Sequence, residues 1–289
     1  MKKKALSLVL AAMMAVTMAG CGSSNKSAAP AETTAAETTA AEAPAETAEA
    51  PAETAEDAAE AESAKAGGKY IIATDTVFAP FEFTDANGDF VGIDVDILAA
   101  IAEDQGFEYE LQSLGFDAAL LAVEAGQADG VIAGMSITEE RKAKFDFSDP
   151  YYDADVTFAV AEGSDIASYD DLKGQKVAVK TGTNGADYAK SIQEQYELEI
   201  VEFSDSPTMY QDVLAGNTVA CFEDYPVMAY NIQQGAKLQI PEGVNAAGSS
   251  YGFAVGKGKN AELLSMFQAG LKNIKENGKY DEIVAKYTK

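Results

Sequence analysis

The chain has 289 residues and is strongly acidic, with 47 aspartates and glutamates against 21 lysines and arginines, a net charge of −26 and no histidine. That excess opposes binding to nucleic acid and to anionic membrane. The absence of histidine removes Ser-His-Asp and Cys-His nucleophile systems and histidine-ligated metals, and no Asp/Gly loop has the calcium spacing, so neither a metal nor a cofactor is expected.

Lys2, Lys3 and Lys4 precede an apolar run, residues 5–17, that is short for a bilayer crossing. Met18-Ala19-Gly20-Cys21 then resembles a lipobox, so residues 1–20 are expected to be a lipoprotein signal peptide and Cys21 the lipidated residue. Residues 21–68 are Ala, Glu, Thr and Pro in near-repeats, with no aromatic side chain and nothing large to bury. Such a segment cannot offset its own ordering entropy and reads as a disordered tether. With Cys21 committed to lipid, Cys221 has no disulfide partner, and its place in Val219-Ala220-Cys221-Phe222 predicts a buried small hydrophobe.

From residue 69 the pattern becomes that of a packed domain. Tyr70-Ile71-Ile72-Ala73-Thr74 reads as a buried strand, followed by a helix that Asp94 and Asp96 open and that ends near Gly106, with Ile93, Ile97, Leu98 and Ile101 on one face. A helix from Phe116 ends at Gly126, and a strand follows over residues 130–133. About a hundred residues on, the pattern repeats: a strand over residues 176–180, then a helix ending at Gly216 and a strand over residues 219–222. Leu263, Phe267, Leu271 and Ile274 give a helical stripe, broken at Asn277-Gly278 before a last amphipathic turn. Strands alternating with helices predict an α/β protein of two mainly parallel sheets flanked by helices, with four strand ends aimed at one cleft.

Residues 131–152 carry the most chemistry. An apolar run stops at Ala133-Gly134-Met135-Ser136, and five residues past Ser136 stands Arg141, the only arginine in the chain. A guanidinium fork, the Ser136 hydroxyl and backbone N–H groups at a helix start together form a carboxylate site. Asp224 lies just past a buried strand, where a carboxylate either meets a cation or caps a helix. The residues alone leave Phe78 and Phe116 as core or cavity wall, and Lys180 as cavity or solvated strand edge.

The residues that carry a resemblance are Ala73-Thr74-Asp75 through Phe83, Gly92-Ile93-Asp94-Val95-Asp96, Ala133-Gly134-Met135-Ser136 through Arg141, residues 145–152, residues 179–183, Asp224 and Asn277-Gly278-Lys279-Tyr280. With these in order, residues 69–289 resemble the bacterial extracellular solute-binding proteins of family 3, the polar amino acid receptors of ABC importers. The resemblance implies a two-lobed type II periplasmic-binding-protein fold. Residues 69–150 plus 253–289 would form lobe 1, residues 156–247 lobe 2, and residues 151–155 and 248–252 the hinge crossings.

Position by position, it implies that Arg141, Ser136 and the Gly134 backbone hold an α-carboxylate, completed by Thr183 and the Asn184 amide. Asp224 would answer the α-ammonium, with Phe78 and Phe116 as walls. Asp75 and Lys180 would hold a side-chain amide as in glutamine-binding members. Two positions depart from those members: Glu223 stands in place of histidine, as a further candidate for the pocket, and Asn184 in place of glycine. The expectation is a non-enzymatic, monomeric receptor for a polar L-amino acid, glutamine first. It would sit lipid-anchored on the extracellular or periplasmic face of the membrane and deliver ligand to a permease and its ATPase. A basic amino acid is the alternative ligand, and a cyclohexadienyl dehydratase-like enzyme the alternative class.

Overall fold

The computed structural model describes residues 69–288; the expected signal segment, Cys21 and the 21–68 segment lie outside them. The first part of the chain runs β1 (Tyr70–Thr74), a small hairpin β2 (Phe83–Thr84) and β3 (Phe90–Val91), α1 (Ile93–Gln105), β4 (Tyr109–Ser113) and α2 (Phe116–Glu124). It continues through β5 (Gly130–Val131), the short α3 (Glu139–Lys142) and β6 (Phe145–Phe147). The long β7 (Tyr152–Ala161) leads into a second part: β8 (Lys176–Lys180), α4 (Asn184–Tyr196), β9 (Glu199–Phe203), α5 (Ser206–Leu214), β10 (Ala220–Asp224), α6 (Tyr225–Gln233) and β11 (Leu238–Gln239). The chain returns through β12 (Ala246–Tyr251) to β13 (Ala254–Gly256), α7 (Ala261–Glu276) and α8 (Lys279–Thr288).

Two sheets result, ordered β4-β1-β5-β13-β6 and β11-β7-β10-β8-β9. Each is built around three parallel strands, β4-β1-β5 and β10-β8-β9. The sheets are mixed rather than mainly parallel: β13 lies antiparallel to β5, β6 to β13, and β7 to β10. The cause is connectivity. A strand that enters a lobe from the other lobe starts at the end where the local βαβ strands finish, so it runs against them.

Each sheet has its own core. In the first lobe Ile72, Ile97 and Ile101 pack with Phe253, Phe267 and Ile274, and the Phe253 and Phe267 rings stack at 4.3 Å. Gly270 lets α7 lie against α1, since a Cβ there would come 2.7 Å from Ile101. In the second lobe Phe158, Val177, Val179, Ala186, Ala189 and Phe222 form the main cluster. Fully burying side chains of this size contributes about 1.5–3 kcal/mol each, so each lobe has a core that outweighs any surface pair. Cys221 is buried and unpaired, with its thiol toward the Ala159 carbonyl.

The two crossing strands pair with each other. Tyr152, Asp153 and Ala154 of β7 face Tyr251, Ser250 and Ser249 of β12 in an antiparallel ladder, which slips register before Ala246↔Val156.

Candidate functional site

Four parallel strands deliver the site. The chain just past β1 carries Asp75, that past β5 carries Ala133 and Gly134, β8 ends in Lys180 and β10 in Asp224. Phe78, Phe116, Ala133, Gly134, Ser136, Arg141, Lys180, Thr183, Asn184 and Asp224 line one small cavity between the lobes. The structure therefore brings together all but two of the residues expected from the sequence. Asp75 reaches the cavity only through its ion pair with Lys180, and Glu223 does not line it.

Arg141 is buried on a single turn of helix, α3, whose N-cap Thr138 accepts from the Arg141 N–H at 3.2 Å. Its guanidinium lies 5.3 Å from the Phe116 ring and donates to two carbonyls, Ser136 O in its own lobe and Gly182 O in the other, both at 2.9 Å. Guanidinium has five N–H donors, so the remaining three can hold a carboxylate. Burial draws Arg141 down from its ordinary value, opposed by Asp187 and Asp224. Opposite stands the start of α4. Thr183 caps it, accepting from the Ala186 N–H at 3.2 Å and donating to Lys180 O at 2.7 Å, while the first amides, Asn184 among them, point outward as at any helix start. This end of the cavity is an anion site.

The other end is a cation site. Asp224 sits at the N-cap position of α6, yet its side chain does not cap the helix; Oδ2 accepts from the Tyr251 hydroxyl at 2.6 Å. Burial, and then the negative charge of Glu223, push the Asp224 carboxyl up to about 7, against the pull of the Tyr251 hydrogen bond and Arg141. A cationic neighbour reverses that shift.

Gly134 takes a different part from the one expected. Its N–H donates to buried Asp94 at 2.7 Å, so it is turned away from any carboxylate. With its N–H taken, the backbone group Gly134 has left for a ligand is its carbonyl, an acceptor suited to an ammonium group. Only glycine fits: φ is +54°, and a Cβ would meet the Phe78 ring at 2.5 Å.

Glu223 departs from expectation because successive strand residues face opposite sides. With Asp224 toward the cavity, Glu223 turns into the second lobe, where Oε2 accepts from the Ser206 and Tyr210 hydroxyls at 2.7 and 2.9 Å, and burial raises its carboxyl. Lys180 and Asp75 are both 1 % exposed and pair across the cleft, with the Lys180 ammonium 4.8 Å from the Phe78 ring. Tyr251 and Asp94 are the contributors that sequence reasoning missed. Tyr251 carries no motif, and Asp94 reads as the opening of a helix and part of a family motif, with no role in the site. Among the described residues no group of three or more His, Cys, Asp or Glu side chains could hold a metal ion.

The cavity thus has the polarity of a zwitterion's partner, donors at one end and acceptors at the other. Residues 70–289 match the bacterial extracellular solute-binding proteins, family 3. The chain belongs to that family. Among relatives of this family 3 protein, a probable histidine-binding protein of Neisseria gonorrhoeae is 34% identical over 233 residues, covering 78% of this chain and 85% of the relative. An ancestral arginine-binding protein bound to glutamine is 38% identical and superposes with a TM-score of 0.70, covering 76% of this chain and 97% of that one. Substrate binding domain 2 of Lactococcus lactis GlnP, in open conformation, is 44% identical yet superposes at only 0.54, covering 76% and 94%. The closer sequence gives the poorer superposition, as two like lobes at different openings would. The fold is the two-lobed type II periplasmic-binding fold, and the family 3 protein is an amino-acid-binding substrate-binding protein of an ABC transporter. No helix among the described residues is long and apolar enough to cross a membrane.

Proposed function

We propose that this family 3 protein captures L-glutamine between its lobes and delivers it to the permease and ATPase of an importer. In this reading Arg141, Ser136, Thr183 and the Asn184 amide hold the α-carboxylate. Asp224 and the Gly134 carbonyl hold the α-ammonium, and Phe78 and Phe116 enclose the aliphatic stem. The observation that carries the choice of side chain is the buried Lys180–Asp75 pair with Glu223 turned away. A carboxamide can donate to Asp75 and accept from Lys180 at once, and adds no net charge to a closed cleft. A lysine or arginine side chain would bring a second cation against Lys180. A second reading keeps a basic or imidazole ligand, because relatives carry names for histidine and arginine binding.

No turnover is proposed. Dehydration of a dicarboxylate ring would need two free cations, and Lys180 is already paired with Asp75. We further propose that the protein is a monomer, lipid-anchored through Cys21 at the extracellular or periplasmic face, with residues 21–68 as its tether. Calorimetry with glutamine, arginine, lysine and histidine is the test of ligand choice. Tightest binding by glutamine is expected, and preference for a cation would overturn the assignment. Incubation with prephenate and arogenate should leave both unchanged.

A further inference from the structure

Beneath the cavity lie two carboxyl groups that binding an amino acid does not directly use. Glu82 and Asp94 are both fully buried, and the two carboxyl groups lie close enough to act on each other. Asp94 Oδ2 is well provided for, accepting from the Gly134 N–H at 2.7 Å and the Tyr151 hydroxyl at 2.8 Å. Asp94 Oδ1 and both oxygens of Glu82 have no hydrogen-bond partner. Two carboxylates cannot satisfy one another, since each only accepts. Two buried anions in contact would also be far costlier than one. A single proton between Glu82 and Asp94 Oδ1 resolves both difficulties.

We propose that Glu82 and Asp94 share one proton, and that the singly charged pair is a positioning device joining the ligand loop to the hinge. Glu82 carries the proton, because the Gly134 N–H and the Tyr151 hydroxyl stabilise Asp94 as the anion. Burial first, and then the negative charges of Asp94 and Asp75, hold the Glu82 carboxyl well above its usual range, with only Lys180 acting the other way. Those two, with the Tyr151 and Tyr280 hydroxyls, are the titratable groups that act on the pair.

Each end of the pair reaches a working part. Through Asp94 it fixes the amide of Gly134, a residue of the cavity lining, and it anchors Tyr151 where the chain enters the first crossing. Through its backbone, Glu82 exchanges hydrogen bonds with Phe78, at 2.6 and 3.3 Å, and so holds the turn that carries that ring. Loss of the shared proton would place two charges beneath Gly134 and Phe78 and loosen both. A group raised in the folded state adds stability below its ordinary value, and this is lost as pH rises through the raised one. Ligand binding should therefore weaken toward alkaline pH.

The shared proton stands without the amino acid assignment; the positioning role rests on it. Infrared difference spectroscopy of the ligand-free protein tests the first. A carbonyl stretch of a protonated carboxylic acid should be present at neutral pH and lost in Glu82→Gln or in Asp94→Asn. If neither folded variant loses such a band, the shared proton is overturned. Titration of glutamine against pH tests the second. Glu82→Gln keeps a permanent donor to Asp94, so it should bind within about threefold of the wild type and lose the alkaline weakening. Glu82→Ala leaves Asp94 Oδ1 without a donor and should bind about tenfold more weakly, the equivalent of about 1.4 kcal/mol. If Glu82→Gln weakens binding as much as Glu82→Ala, or keeps the wild-type pH profile, the positioning role fails. A protein that binds no amino acid at all would sink the functional assignment and leave the infrared result standing.

Discussion

The Tyr251 hydroxyl donates to Asp224 Oδ2 at 2.6 Å, so the second crossing strand touches the acceptor end of the cavity directly. Tyr251 also lies against Phe78 and Phe81, with ring centroids 6.5 and 5.0 Å away, and bridges Ser136. One residue thus touches the ligand loop through its backbone, and the aromatic wall and the second lobe through its side chain.

Asp224 supplies the first prediction, a pH dependence. Its carboxyl is raised to about 7, so its proton is favoured in the folded state. That contribution to stability is present below the unfolded value near 4 and lost as pH rises through about 7. Binding an ammonium group favours the ionised form, so binding should release protons near neutrality. Affinity should rise between about pH 5 and 7, ahead of the alkaline weakening expected from the Glu82–Asp94 pair. Calorimetry in buffers of different ionisation enthalpy measures the release. Asp224→Asn should abolish it and weaken every amino acid alike, whereas an effect confined to one side-chain type would place Asp224 elsewhere.

Arg141→Ala should cost about 2–5 kcal/mol of binding, mostly because the ligand carboxylate is left buried without its partner. The fold should persist, since Arg141 is not a member of the hydrophobic clusters of either lobe and its partner Ser136 lines the cleft. Thermal unfolding paired with calorimetry separates the two. Unchanged affinity in a folded Arg141→Ala would mean the carboxylate sits elsewhere.

Glu223→Gln should leave the ranking of ligands unchanged, because the side chain faces Ser206 and Tyr210 rather than the cavity. It should lower the pH at which Asp224 ionises, since Glu223 is one of the charges that raises it. Glu223→Ala strands two buried hydroxyls and should cost about 1–3 kcal/mol of stability. A switch in ligand ranking on Glu223→Gln would show that the side chain reaches the pocket.

Lys180→Ala removes one half of a buried pair. Glutamine should bind more weakly by about 1–3 kcal/mol, through a lost charged hydrogen bond. Arginine or lysine should bind no worse or better, because Asp75 becomes available to a ligand cation. A protein that prefers arginine and keeps that preference in Lys180→Ala would overturn glutamine as the ligand.

Much of this was legible in the sequence, and the exceptions share a cause. Strands that stop at polar residues predicted which side chains meet, because parallel strands in open α/β sheets finish at one edge. For Lys180 and Asp224 that logic leaves an alternative open, a solvated edge or a helix cap, and the family resemblance is what points both into the cavity where they lie. A strand end does not reveal which of two adjacent residues faces the cavity, and so Glu223 was misjudged beside Asp224. Nor does a backbone position reveal where its N–H goes; the claim of Asp94 on the Gly134 amide spans 40 residues. Tyr251 lies 27 residues from Asp224, with no local pattern to tie them. The antiparallel β13 and β7 escaped for the same reason, since their direction is set by the crossings rather than by local periodicity.

The pairing of β7 with β12 constrains how the two lobes can move against each other. Two separate connectors would let the lobes twist, slide and fold independently, whereas a hydrogen-bonded ribbon bends readily across its width and resists the rest. Such a ribbon leaves one bend angle as the easy motion. Any occupant of the cavity, whatever its side chain, is then translated into one scalar, the degree of bend. A transporter that contacted both lobes would then judge occupancy by shape alone, without touching the cargo.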